Sequence, residues 1–201
     1  MQATSTHPPT APIAVDRRHG GGVRRSFVLG RTSPRERRLA ERLDEELAPM
    51  GAVLHGCRLD RATARIDHLV VAPSGVWVVI ADHSPGRLDV AGTVEGSTVV
   101  TIDAVDRTAM VRSASRGADH VSSVLAPAGF DWLPVSAALC FTNARRTART
   151  RRVAAPVAIL GPAELVDHAA VPGPLLASDA LRVADVLRRS FDVDRLGGDD
   201  D

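Results

Sequence analysis

Two kinds of apolar spacing divide the chain. Over 33–48, "SPRERRLAERLDEELA", Leu39, Leu43 and Leu47 recur at helical spacing among charged residues, which places one apolar stripe on a helix. Ser33 suits the N-cap, Pro34 the first helical position, and Glu36 completes a capping box with Ser33. Short apolar runs then predict strands over 52–59, 65–72, 75–82 and 97–102. Helical spacing returns over 105–125. The nearly all-apolar run 135–142 predicts a strand covered on both faces, and 153–160 a shorter one. Two helices, near 162–170 and 178–191, complete the pattern. The order α-β-β-β-β-α-β-β-α-α predicts a mixed sheet flanked by helices, an α/β (α+β) architecture.

The turn Ala72-Pro73-Ser74-Gly75 predicts a tight hairpin with Val71 opposite Val76. Counting back along the ladder puts Asp67 opposite Ile80 and Arg65 opposite Asp82. Strict alternation then gathers Arg65, Asp67, Leu69, Val78, Ile80 and Asp82 on one face and sends His68 and His83 to the other. It makes Arg65 the expected ion-pair partner of Asp82.

At the ends the periodicity fades. Residues 1–32 are rich in Pro, Gly, Thr and Arg and read as a disordered or loosely attached arm, and 193–201 read as a short acidic tail. Between them, 33–192 reads as one domain, in keeping with 201 residues of which 44% are hydrophobic. No apolar leader opens the chain, and the most apolar window, 69–81, is cut by Pro73-Ser74-Gly75, so a cytoplasmic protein with no membrane partner is expected. Cys57 and Cys140 lie in apolar strand-like runs and read as reduced thiols, and no Cys/His cluster points to zinc.

The net charge of +1 does not advertise a polyanion partner, but all 25 basic residues are Arg. Five of them, Arg145, Arg146, Arg149, Arg151 and Arg152, crowd into "ARRTARTRR" at 144–152. Such a loop could clamp phosphates or be a solvated basic surface. Further Arg residues (Arg17, Arg18, Arg24, Arg25, Arg31) lie in the arm. Aromatic residues are only 3% and Tyr is absent, so nucleic-acid binding would be directed at the backbone and sensitive to salt.

Several segments, in order, are similar to the nuclease-related domain (NERD) family: "RERRLAERLDEEL", "ARIDHLVVAPSGVWVV", "PGRL" at 85–88, "VSAALCFTNA" and "VAILGPAEL". The resemblance implies a restriction-endonuclease-like fold over 33–192. It also implies a divalent-metal site, usually for Mg2+, built from an Asp on one strand and Glu-x-Lys on the next. Asp67 matches that Asp, and Glu36 the family's helix Glu. Ile80 falls where the Glu belongs and Asp82 where the Lys belongs, and no Lys elsewhere can substitute. The expectation is a module with a degraded metal site, non-catalytic, accessory or nucleic-acid-associated, and without a cofactor. One alternative is a divergent Mg2+-dependent DNA nuclease using Glu36, Asp67 and Asp82, with His83 or Arg65 in place of the Lys. Another is a protein-interaction scaffold.

Overall fold

The computed structural model describes residues 33–58, 65–92, 98–146, 153–154 and 156–193. The expected arm (1–32) and nearly all of the acidic tail therefore lie outside the described residues. In chain order the elements are α1 (Pro34–Leu47), β1 (Ala52–Arg58), β2 (Arg65–Ala72), β3 (Gly75–Asp82), β4 (Gly86–Gly92), β5 (Thr98–Ile102) and β6 (Val105–Asp106). There follow α2 (Thr108–Leu125), β7 (Val135–Phe141), β8 (Ala144–Arg146), β9 (Val153–Ala154), β10 (Val157–Leu160), α3 (Pro162–Ala170) and α4 (Ala177–Ser190).

Among the described residues, six strands form a mixed sheet in the order β1-β2-β3-β7-β10-β9, and four form a second sheet, β6-β5-β4-β8. β1, β2 and β3 meander antiparallel, then β3, β7 and β10 run parallel. Helices pack on the sheets, as in the restriction-endonuclease-like architecture. On one face of the first sheet, Leu54, Leu69, Val71, Val76 and Val78 share a buried cluster with Val121 and Leu125 of α2 and Val183 and Leu187 of α4. On the other face, Val70, Trp77 and Val79 meet Leu39, Leu43 and Leu47 of α1 and Leu165 of α3. A third cluster joins Leu88, Val90, Val100 and Ile102 of the second sheet to Val111 of α2 and Leu139 of β7.

The parallel pair β3/β7 continues, after a break, as the parallel pair β4/β8, with Gly86 opposite Ala144. The Thr142 N–H donates to the Asp82 carbonyl across that break at 3.0 Å. Pro85 and Gly86 interrupt the apolar run here, so the sequence pattern left β4 unpredicted, although Leu88 and Val90 alternate as a strand requires. The predicted start of α2 at 105 is also corrected. Asp103 (φ 46°) and Ala104 (φ 66°) make a two-residue hairpin that pairs Ile102 with Val105, and the helix begins at Thr108. With no Gly or Asn at the turn, its sequence reads as a helix start. The run 153–160 divides into β9 and β10, which pair antiparallel.

The hairpin register is as predicted, with Val71 opposite Val76, but the ladder ends at His68 opposite Val79. Alternation also fails where expected to hold. Leu54 and Cys57 of β1 share one cluster with Leu69 and Ile66 of β2, although each pair is an odd number of residues apart. Both strands step out of phase at one rung, where Gly56 (φ 59°) lies between His55, opposite His68, and Cys57, opposite Ile66. A left-handed residue inside a strand marks a bulge-like distortion, and Asp67 stands beside it.

Candidate functional site

Where the β2–β3 ladder stops, the Asp67 side chain takes over a backbone position. Its Oδ2 accepts the Ala81 N–H at 2.8 Å, and its Oδ1 lies 3.9 Å from Arg65 Nε. Arg65 Nη2 in turn donates to Glu36 Oε1 at 3.2 Å. Glu36 therefore does more than cap α1. Ser33 Oγ accepts the Glu36 N–H at 3.1 Å, the first half of the expected capping box, while the Glu36 carboxylate engages Arg65. One guanidinium thus sits between the two acids that the sequence pattern nominated. Burial raises the Asp67 pKa above the ordinary carboxylate value, and Glu36 adds to the rise. The Ala81 hydrogen bond and the charges of Arg65 and His83 oppose it without cancelling it.

Asp82 departs from expectation. It does not meet Arg65. Its Oδ2 accepts from Arg107 Nε at 2.8 Å and its Oδ1 from the Ser84 N–H at 2.7 Å. Arg107 immediately precedes α2, so the pair ties the end of β3 to the start of that helix. The β2–β3 ladder has already ended at His68 opposite Val79, so the count that set Asp82 against Arg65 no longer applies there. Burial works to raise the Asp82 pKa, but hydrogen bonds from Ser84 and Arg107, with the Arg107 charge, hold it below the usual carboxylate value. Ile80 does not face Asp67 either. It is buried in the cluster of the second sheet, Val111 and Leu139.

His68 keeps the face that alternation gives it, opposite Val79 on the α1 side of the sheet, and it is Asp67 that joins it there, linked through Arg65 to Glu36 of α1. His55 and His68 are buried with their Nδ1 atoms 2.7 Å apart, and His55 Nε2 lies 3.0 Å from Asp44 Oδ1 on α1. One Nδ1 must donate and the other accept. With His55 neutral and its Nε2–H donated to Asp44, His68 donates through Nδ1, and its Nε2 is left as a bare acceptor. That Nε2 is buried and has no hydrogen-bond partner among the described residues. Burial pushes the His68 pKa down to about 3, helped by the neighbouring His55, His83 and Arg65. His83 influences both Asp67 and His68, so all three share a neighbourhood that strict alternation would have split. His83 Nδ1 is 2.8 Å from Thr142 Oγ1.

As placed, the residues do not fit a divalent cation. Asp67 uses one oxygen on the Ala81 N–H, Arg65 stands between it and Glu36, Ile80 offers no donor, and Asp82 belongs to Arg107. Among the described residues, no group of three His, Cys, Asp or Glu side chains is arranged to hold a metal. Hard cations such as Mg2+ need several converging oxygens. Cys57 and Cys140 are both buried, and burial pushes the Cys140 thiol up to about 12, which leaves it unreactive.

Of the five arginines at 144–152, Arg145 and Arg146 lie on β8, while Arg149, Arg151 and Arg152 lie outside the described residues. Arg145 is exposed. Arg146 is engaged internally, donating to the Ile159 carbonyl at 3.2 Å and pairing with Glu164. A different basic group escaped the sequence pattern. Arg35, Arg38 and Arg42 line a cavity of about 240 Å³ with Leu39, Thr142, Asn143 and Pro162. Their spacing puts them on one side of α1. That signal was present in the sequence but masked by the acidic residues interleaved with it.

No helix among the described residues is long and apolar enough to cross a membrane. Comparison with curated proteins and with solved structures returned no match. The family model described as "Nuclease-related domain" matches residues 31–142, a span that runs from just before the Ser33 cap through β3, β4, β5, β6 and α2 to Thr142, just past β7. Over more than half its length, including both acids and the rung where they meet Arg65, the chain belongs to the nuclease-related domain (NERD) family.

Proposed function

We propose that the protein is a nuclease-related module that does not cleave phosphodiesters and serves as an accessory, nucleic-acid-associated domain. The observation behind this reading is the Arg65 guanidinium between Glu36 and Asp67. It neutralises the acids that would otherwise attract a divalent ion, and Ile80, in the place of the family's Glu, is committed to an apolar cluster. Association with nucleic acid would rest on guanidinium–phosphate contacts, Arg145 among them, with no base reading. The test is cleavage of supercoiled plasmid with Mg2+ or Mn2+ present, wild type beside Asp67→Ala. The expected result is no metal-dependent cleavage by either. Robust cleavage that Asp67→Ala abolishes would overturn the reading.

A divergent nuclease has one observation in its favour. Glu36, Asp67 and His83 lie close enough for the first and last to act on the protonation of Asp67. In that reading Arg65 would swing away and a cation would take its place. Titration calorimetry with Mn2+ separates the two. A site tighter than millimolar supports the nuclease, and its absence supports the silent module.

A further inference from the structure

The cavity beside α1 has the chemistry of an anion site. Arg35, Arg38 and Arg42 line its wall, and among the described residues no carboxylate does. Arg42 is already paired, with Glu46 at 2.6 Å. Among the described residues neither Arg35 nor Arg38 has a carboxylate partner. The contact recorded for Arg35 is a long one, 3.5 Å from Nη1 to the His83 carbonyl. Thr142, Asn143 and Pro162 of the first turn of α3 line the cavity with the arginines. The neighbouring acid Glu164 is paired with Arg146.

We infer that this cavity binds a phosphate group, held by Arg35 and Arg38 with Thr142 and Asn143 as neutral donors. Two guanidinia one helical turn apart can each present a planar fork to a tetrahedral anion, and such pairing is stronger and more directional than an ammonium provides. The size agrees. A cavity of about 240 Å³ is larger than a bare phosphate needs and slightly below the range of about 300–1,000 Å³ usual for drug-sized ligands. It suits one phosphate with part of the nucleoside it carries. The position agrees as well. Thr142 bonds His83, and Arg35 reaches the His83 carbonyl, so the cavity adjoins the end of β3 and the Asp67 neighbourhood. The phosphate could come from a polynucleotide backbone or from a free nucleotide. The first source rests on the nucleic-acid reading above, and the second does not.

Full-length protein is titrated into a fluorescein-labelled DNA duplex, followed by anisotropy at several salt concentrations, and separately with adenosine 5′-monophosphate by calorimetry. The variants are Arg35→Ala/Arg38→Ala, the charge-conserving Arg35→Lys/Arg38→Lys, and, as a charge control, Arg189→Ala at an exposed position of α4. Both pocket arginines are exposed, so thermal melts should match wild type and exclude misfolding. The expected result is duplex binding that the double Ala variant weakens by about 10-fold or more, with a salt slope smaller by about 2. The Lys variant should recover part of it, and Arg189→Ala should change little. Binding of adenosine monophosphate but not duplex, lost in the double Ala variant, upholds the pocket while overturning the nucleic-acid reading. Duplex binding that the double Ala variant leaves intact overturns the pocket and spares that reading. Binding of neither probe overturns both.

Discussion

At Asp82 a guanidinium and a backbone N–H converge on one buried carboxylate, whereas Arg65, the partner suggested by the hairpin count, is occupied by Glu36. Removing the charge with Asp82→Asn should destabilise the fold by about 2 kcal/mol. That is less than the 3–5 kcal/mol of a fully buried pair, because Arg107 keeps contact with water. A double-mutant cycle in urea should find coupling between Asp82 and Arg107 and none between Asp82 and Arg65. The register of the hairpin was legible because Pro73, Ser74 and Gly75 fix the turn. The partner was not, because a pairing rule assumes that the ladder continues, and here Asp67 ends it by accepting the Ala81 N–H. Ile80 carries a related expectation. Restoring the family's acid with Ile80→Glu should cost several kcal/mol, since it buries a carboxylate among Leu139, Val111 and their neighbours. Chemical denaturation would measure the loss, and an unchanged midpoint would show that Ile80 can turn to solvent.

At the scale of elements, the strands and helices with strong periodicity were readable, and the elements that failed were those set by backbone conformation. The hairpin between β5 and β6 uses Asp103 and Ala104 at positive φ, with Arg87 N–H donating to Asp103 Oδ1 at 2.8 Å. An alanine in the left-handed region is strained by about 1–2 kcal/mol. Ala104→Gly should therefore raise stability by about 0.5–1 kcal/mol after the added freedom of the unfolded chain is subtracted. A drop in the melting temperature would contradict this. At Gly75 the sign reverses. Its φ is 130°, and an added Cβ would lie 2.4 Å from the Pro134 carbonyl oxygen. Gly75→Ala should cost about 2 kcal/mol or more, from strain and from loss of the fit between the hairpin and the segment before β7. The basic stripe of α1 belongs to this scale too. Its arginines are invisible to a reading that looks for runs, because their spacing is helical and Glu36 and Glu41 interrupt them.

For the molecule as a whole, the buried ionisable groups predict how stability depends on pH. His68 has a folded pKa of about 3 against an ordinary value of 6.5. The folded state therefore binds fewer protons than the unfolded chain throughout that window. Its stability is complete above about pH 6.5 and falls as pH drops, by up to about 1.4 kcal/mol per pH unit from this one group. Asp82 acts in the same direction but later. Its lowered pKa contributes stability above the unfolded carboxylate value that is lost as pH falls through the folded one. Asp67 acts in the opposite sense. Its raised pKa means that the folded state takes up a proton first, so acidification favours folding as pH falls through the folded pKa, and the gain is complete below the unfolded one. The sum is a fall in stability that begins near pH 6.5 and is partly offset by Asp67 at lower pH. Urea midpoints from pH 7 to pH 4 should show it, and His68→Gln should flatten the upper part of the curve. A His68→Gln curve parallel to wild type would mean that His68 is free to ionise in the folded state, and with that the chain from exposed Asp44 through the buried His55 and His68 would lose its physical basis.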